Sequence, residues 1–165
     1  MHILSPTHSE YPDILSAIPQ PPQHLYIKGS LEVFKQPLLS IIDSRNLTSY
    51  GDFVLRTFVP PLVKAGLTIV SGLAYGADIR AHQLALEHGG TCIAVLGSGL
   101  EAIYPTIHRG IVQEIQEKGR CIMSEYPPTT SPLPYHFPQR NRIISGLSTV
   151  TLVVEAGKIR YCKYL

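Results

Sequence analysis

Residues 67–88 read LTIVSGLAYGADIRAHQLALEH, and this stretch decides the fold. It opens with a short apolar run, which is typical of a strand buried on both faces. A turn with two glycines follows, and residues 77–88 then have the spacing of an amphipathic helix that stops at Gly89-Gly90. A strand, a tight turn and a helix in this order predict one unit of an α/β sheet.

The same alternation continues on both sides of this stretch. Apolar runs recur at residues 38–42, 91–96, 120–123 and 150–154, and helical patterns at residues 107–118, ending at Gly119, and 50–65. We expect Pro60-Pro61 to break or restart the helix at 50–65. The chain is therefore predicted to form a doubly wound, mostly parallel sheet flanked by helices in three layers.

Composition limits the function classes. The chain has 165 residues, of which 44% are hydrophobic and 16% charged, and its net charge is +2. These values predict one globular domain and exclude nucleic-acid binding by bulk positive charge alone.

The apolar runs are too short to span a membrane, and no leader pattern is present, so we expect a cytoplasmic protein. Three cysteines without short paired spacing predict neither a metal site nor a disulfide, and we expect no cofactor.

Candidate binding residues follow the strands, because ligands of such sheets bind at the carboxyl ends of the strands. The turns at 71–78 and 97–99 are rich in glycine, and the start of the helix at 77–88 could face an anion. A basic-aromatic cluster, with Tyr135 beside it, follows a proline-rich loop at 125–138. The predicted nucleic-acid-binding residues are Arg45, Ser71, Gly72, Gly76, Gly97, Gly99, Phe137, Arg140, Asn141 and Arg142.

Each of these signals has a structural alternative. Arg45 could be a surface residue paired with Asp43, and the glycines could serve only tight packing. One of the two arginines near residue 141 could hold loop carbonyls. Asp78 and His82 share a helix face and could form a hydrolase site with Ser71, or simply be packed.

Charge is distributed unevenly along the chain. Residues 1–119 contain 8 basic and 10 acidic side chains, whereas residues 120–165 contain 6 basic and 2 acidic ones. The positive end of the molecule is therefore predicted to lie in the C-terminal part, which contains the basic-aromatic cluster.

Several motifs in order resemble the DNA-processing protein A family (DprA, also called Smf). The resemblance covers residues 11–157 and is carried by Ser44-Arg45, IVSGLAYGAD at 69–78, VLGSGL at 95–100, SEYP at 124–127 and FPQRNRIISGLS at 137–148. It implies a Rossmann-like domain, often a homodimer and without established catalysis, that binds single-stranded DNA in natural transformation and loads RecA. It also implies a DNA pocket with Arg45, Phe137, Arg140 and Arg142.

The chain departs from the family pattern in two places. Asp43 replaces a glycine before the first-loop arginine, and we expect its carboxylate to compete with phosphate. The family sequence continues after residue 157, so we expect a sheet that is incomplete at the C-terminus. The predicted division is a lead-in at 1–30 with a strand at 25–28, a partial domain at 31–157 and a non-family tail at 158–165.

Two other functions remain open from the sequence. A related fold occurs in the lysine-decarboxylase-like phosphoribohydrolases, which would make the protein a nucleotide hydrolase that uses Asp78 or Glu125. A truncated remnant without function is the other alternative, because an incomplete sheet leaves an unpaired edge strand.

Overall fold

Residues 1–43, 45–118 and 120–155 are described by a computed structural model of the chain. Ser44 of the first-loop motif, the predicted helix stop at Gly119 and the tail at 158–165 lie outside these residues.

The described residues form a single seven-stranded sheet. The strands are β1 (His2–Leu4), β2 (Leu25–Lys28), β3 (Leu38–Ile42), β4 (Thr68–Ser71), β5 (Cys92–Val95), β6 (Cys121–Ser124) and β7 (Val150–Val153). Their order in the sheet is β1-β2-β6-β5-β4-β3-β7, in which β2 is antiparallel to both β1 and β6 and all other neighbours are parallel. Every residue of β4, β5 and β6 is buried, as the apolar runs predict.

Helices cover both faces of this sheet. The helices are α1 (Asp13–Ser16), α2 (Ser49–Lys64), α3 (Ala77–Glu87), α4 (Arg109–Glu117) and α5 (His136–Gly146), with 3-10 turns at Leu31–Lys35 and Thr106–His108. One apolar core contains Leu55, Leu84 and Ile115 from α2, α3 and α4. The core on the other face contains Leu15 and Ile143 from α1 and α5. The predicted three-layer α/β architecture is thus confirmed.

The helix α2 continues through Pro60 and Pro61, so the expected break is wrong. A proline removes one hydrogen bond to the carbonyl four residues earlier. Here those carbonyls belong to Arg56 and Thr57, which are exposed residues, and water can replace the missing donors. The buried positions of α2 at Leu55, Val59 and Val63 are spaced by one turn, so packing against the sheet keeps the helix continuous.

The lead-in and the proline-rich loop also differ from expectation. The lead-in contains not only β2 but also the strand β1 and the short helix α1. The proline-rich loop ends earlier than predicted, because α5 begins at His136 and includes Pro138, which lies in its first turn and costs no intrahelical hydrogen bond. The division at residue 30 stays a prediction, and strands from both sides of it share the sheet.

Within the three described ranges, no helix combines the length and the apolar character that a membrane crossing requires. Cys92 and Cys121 are buried free thiols, and burial raises the pKa of the Cys92 thiol to about 12. Over the same ranges, no group of three His, Cys, Asp or Glu residues could hold a metal ion.

Candidate nucleic-acid interface

The four central strands β3, β4, β5 and β6 run parallel, so the loops that follow them lie at one edge of the sheet. We call this the carboxyl edge. The predicted residues come from these loops and from α5, which packs against β5. The topology therefore brings distant parts of the sequence together at the place where ligands of such sheets bind.

A shallow cleft opens at the carboxyl edge. The Arg45 guanidinium carbon lies 5.9 Å from the centre of the Phe137 ring, a cation–π distance. The rings of Tyr104 and Phe137 have centres 5.5 Å apart. The cleft is lined by Arg45, Gly72, Ala74, Tyr75, Tyr104, Pro105 and Phe137.

The cleft is both basic and aromatic. Arg45 is exposed, Tyr75 is 49% exposed and Tyr104 is 46% exposed. Tyr75 and Tyr104 were missing from the predicted site. The available signal was their position, since Tyr75 lies within one glycine-rich turn that follows a buried strand, and Tyr104 lies shortly after the other.

The backbone of residues 72–74 is bound by side chains from three different elements. Arg140 of α5 donates to the Gly72 carbonyl over 2.5 Å, and the His108 Nδ1 donates to the Leu73 carbonyl over 2.8 Å. The Asp78 carboxylate accepts from the Ala74 N–H over 3.3 Å. Leu73 has a φ of 60°, a left-handed conformation that is rare for a branched residue and needs such support.

Arg140 lies beneath the cleft, with 3% of its surface exposed. Its Nη1 also donates to the carbonyl of Val95, the last residue of β5, so one guanidinium connects the loop after β4 to the end of β5. Burial lowers the pKa of Arg140 to about 10, which leaves the side chain charged at neutral pH. The structure thus provides this arginine with partners inside the protein, and a contact with nucleic acid stays a prediction.

Arg142 has an internal partner as well. Its Nη1 and Nη2 donate to the two carboxylate oxygens of Glu125 over 2.8 and 2.6 Å. Its Nε donates to the Gln20 carbonyl over 3.1 Å. The neighbouring Asn141 is half-buried, and its carbonyl accepts from Ser145. The role of both residues toward a nucleic acid stays a prediction.

Three of the four predicted glycines lie where a side chain would collide with the protein itself, and the fourth, Gly76, has a positive φ. A Cβ on Gly72 would approach Asp78 and Arg140 to 2.5 and 2.6 Å, and a Cβ on Gly97 would lie 2.8 Å from the Phe137 ring. Gly99 lies under the Pro127 and Pro128 carbonyls, and Gly76 precedes α3 with a φ of 81°. Gly97 thereby allows Phe137 to lie over the loop that follows β5.

The residues of the alternative hydrolase site, Ser71, Asp78 and His82, are all buried. The Ser71 Oγ is buried and donates to the Ile41 carbonyl over 2.7 Å, so its hydroxyl already has a partner inside the protein. Burial raises the pKa of Asp78, against the lowering effect of Arg140. Burial also lowers the pKa of His82 to about 4, so this ring is neutral at neutral pH. The start of α3, with Ala77 and Asp78 buried, is likewise covered.

Known proteins that are similar to this chain in sequence fall in one family. The family model for DNA recombination-mediator protein A matches residues 2–159. Protein Smf of Escherichia coli K12 is 44% identical over 157 residues, which are 94% of this chain and 42% of that protein. The DNA processing protein DprA of Streptococcus pneumoniae is 40% identical over 146 residues, 88% of this chain and 51% of that protein. The chain thus spans about half the length of these curated relatives.

Two solved structures are also similar. The crystal structure of DprA from Streptococcus pneumoniae superposes with a TM-score of 0.89 at 38% identity, over 95% of this chain and 55% of that one. The structure of DNA processing protein A from Helicobacter pylori, described for its single-stranded DNA binding mode, has a TM-score of 0.81 at 32% identity. The superposition covers 93% of this chain and 69% of the Helicobacter pylori chain.

Proposed function

The chain belongs to the DNA recombination-mediator protein A family, and on that premise we propose that it binds single-stranded DNA in the cleft at the carboxyl edge. The observation that carries the proposal is the exposed guanidinium of Arg45 above the ring of Phe137. The Helicobacter pylori relative, whose description names single-stranded DNA binding, supports it.

The cleft has the two components that single-strand binders combine. A cation neutralises the phosphates of the backbone, and aromatic faces stack on the bases. Arg45 provides the cation, and the exposed rings of Tyr75 and Tyr104 provide stacking faces beside Phe137. Stacking tolerates every base, so binding in this cleft is not expected to depend on sequence.

The fixed loop beneath the cleft supports the same function. Residues 72–74 are bound by Arg140, His108 and Asp78, so the floor of the cleft is ordered before DNA arrives. A preformed site loses less conformational entropy on binding than a mobile one. We therefore assign Arg140 to positioning of the loops, and Arg45 to contact with phosphate.

Titration of a fluorescent oligo-dT over a range of salt concentrations tests the proposal. Arg45→Ala should weaken binding and reduce the salt slope by about 0.7, the value for one phosphate contact on a single strand. Phe137→Ala should cost about 1–3 kcal/mol of binding free energy per lost base stack. Arg109→Ala is the matched control, because Arg109 is exposed at the start of α4.

The proposal fails if the wild-type chain does not bind oligo-dT at low salt. It also fails if Arg45→Ala and Phe137→Ala bind as tightly as Arg109→Ala. Equal loss in Arg45→Ala and Arg109→Ala, with Phe137→Ala unchanged, would show that only overall charge matters, which is likewise inconsistent with a specific cleft.

The finer parts of the proposed function concern partners. By family membership we propose that the protein takes part in DNA processing during natural transformation and recombination, without catalysis of its own. Homodimer formation and RecA loading belong to the same proposal. Light scattering of the chain and RecA filament assembly on coated single strands test these two points separately from DNA binding.

A further inference from the structure

A second cleft lies at the opposite edge of the sheet, where the parallel strands begin. It has a volume of about 460 Å³. Its walls come from residues just before β4, β5 and β6, and from residues just after β2, which runs antiparallel to β6 and therefore ends at this edge. The lining residues used below are Ser30, Glu32, Thr91, Lys118 and Arg120. We call this the amino edge.

Arg120 is the unusual member of this lining. Only 8% of its surface is exposed, and its Nη1 is buried without a hydrogen-bond partner among the described residues. Across those same residues its guanidinium takes part in none of the observed hydrogen bonds or ion pairs. A buried charge without a partner is destabilising, and native proteins rarely keep one.

The other charges of the cleft are already balanced. The Lys118 Nζ contacts a carboxylate oxygen of Glu114 over 2.6 Å, and Glu32 contacts Lys35 over 2.6 Å. The positive charge of Arg120 is thus left without an anion. An anionic ligand in the cleft would place a negative charge beside this guanidinium.

We propose that the amino-edge cleft binds a small phosphate-bearing anion, with Arg120 as its charged partner. The planar fork of a guanidinium matches phosphate oxygens. The hydroxyls of Ser30 and Thr91 line the same cleft and can donate to further oxygens. A carboxylate offers only two oxygens, whereas a terminal phosphate offers three and up to two charges.

The size of the cleft is consistent with a ligand larger than a free ion. Its volume falls within the range of about 300–1,000 Å³ that is usual for small-molecule sites. Inorganic phosphate and a nucleoside monophosphate share the chemistry that Arg120 would recognise. The experiment must therefore separate these two sources of the phosphate group.

Thermal unfolding of the full chain with added ligand tests the proposal. Phosphate, dTMP and acetate are each titrated at constant ionic strength, with sodium chloride as the reference. A ligand that binds only the folded state raises the Tm with concentration. We expect phosphate or dTMP to raise the Tm of the wild type and of Arg109→Met, but not of Arg120→Met.

The responses to dTMP, phosphate and acetate distinguish the possible ligands. A response to dTMP at lower concentration than to phosphate identifies a nucleotide site, and equal responses identify a site for the phosphate group alone. No response of the wild type beyond sodium chloride overturns the proposal. An equal response to acetate, or an undiminished response of Arg120→Met, also overturns it.

A second measurement does not depend on any variant. Amide chemical shifts of the wild-type chain with dTMP should change at Thr91 and Lys118, at the amino edge. Changes confined to the residues around Arg45 and Phe137 would overturn the proposal. Oligo-dT binding by Arg120→Met should be unchanged, so failure of this proposal and failure of the proposed DNA site are distinguishable.

Discussion

Each edge of the sheet contains an almost fully buried arginine, and the two differ in what surrounds them. Arg140 at the carboxyl edge is 3% exposed and donates to the carbonyls of Gly72 and Val95. Arg120 at the amino edge is 8% exposed, and its guanidinium takes part in none of the hydrogen bonds or ion pairs observed within residues 1–43, 45–118 and 120–155. The first arginine has partners within the fold, whereas the second is the one for which we propose an anionic ligand.

The largest expected effect is that of Arg140→Met on stability. The change removes the side-chain donor to the Gly72 and Val95 carbonyls and the positive charge beside Asp78. We expect a loss of about 3–5 kcal/mol in the free energy of unfolding, the usual effect of removing one member of a buried charged network. Urea denaturation measures it.

Arg120→Met is the matched variant for this prediction, because it removes a similarly buried arginine. Without ligand it should be as stable as the wild type or more so, since an uncompensated charge is removed. Equal losses in the two variants would contradict the contrast between the two edges.

The next effect concerns acid stability and His82. Its pKa is lowered from 6.5 to about 4 in the folded chain, so the unfolded chain binds the extra proton between these values. Stability that is present above pH 6.5 should be lost as the pH falls toward 4, by about 3 kcal/mol in all.

Denaturant titrations between pH 7 and pH 4 check this expectation. His82→Gln should flatten the pH dependence of the free energy of unfolding over that window. The exposed His24 provides the control, and His24→Gln should keep the wild-type slope. A wild-type slope in His82→Gln would assign the effect to other groups.

The smallest expected effect is that of Arg45→Ala on folding. Arg45 is exposed, and its contact with the Phe137 ring at 5.9 Å contributes about 0.5–1 kcal/mol at such sites. Thermal unfolding should change little, although DNA binding falls. A large loss of stability would show that Arg45 has a structural role like that of Arg140.

Sequence alone locates most of the sheet. Five of the predicted strands, from residues 38–42 to 150–154, agree with the observed bounds to within one residue. Short apolar runs between glycine-rich turns have few alternatives, and parallel order then places the loops at a common edge. This is why Arg45 and Phe137, 92 positions apart, could be assigned to one site.

What sequence could not show depends on contacts between distant segments. The continuity of α2 through Pro60-Pro61 results from packing on the sheet, which local propensity does not include. The burial of Arg140 depends on carbonyls 45 and 68 positions away. Its sequence neighbours do not distinguish it from Arg142, which lies one half-turn further along α5 and contacts Glu125.

The helix α5 has a consequence that reaches beyond any one contact. Phe137 contacts Arg45 after β3 and lies beside Gly97 after β5. Arg140 contacts the loop after β4, and Arg142 contacts the loop after β6. One helix is thus attached to the loops that follow β3, β4, β5 and β6. Any movement of α5 would therefore act on these four loops together.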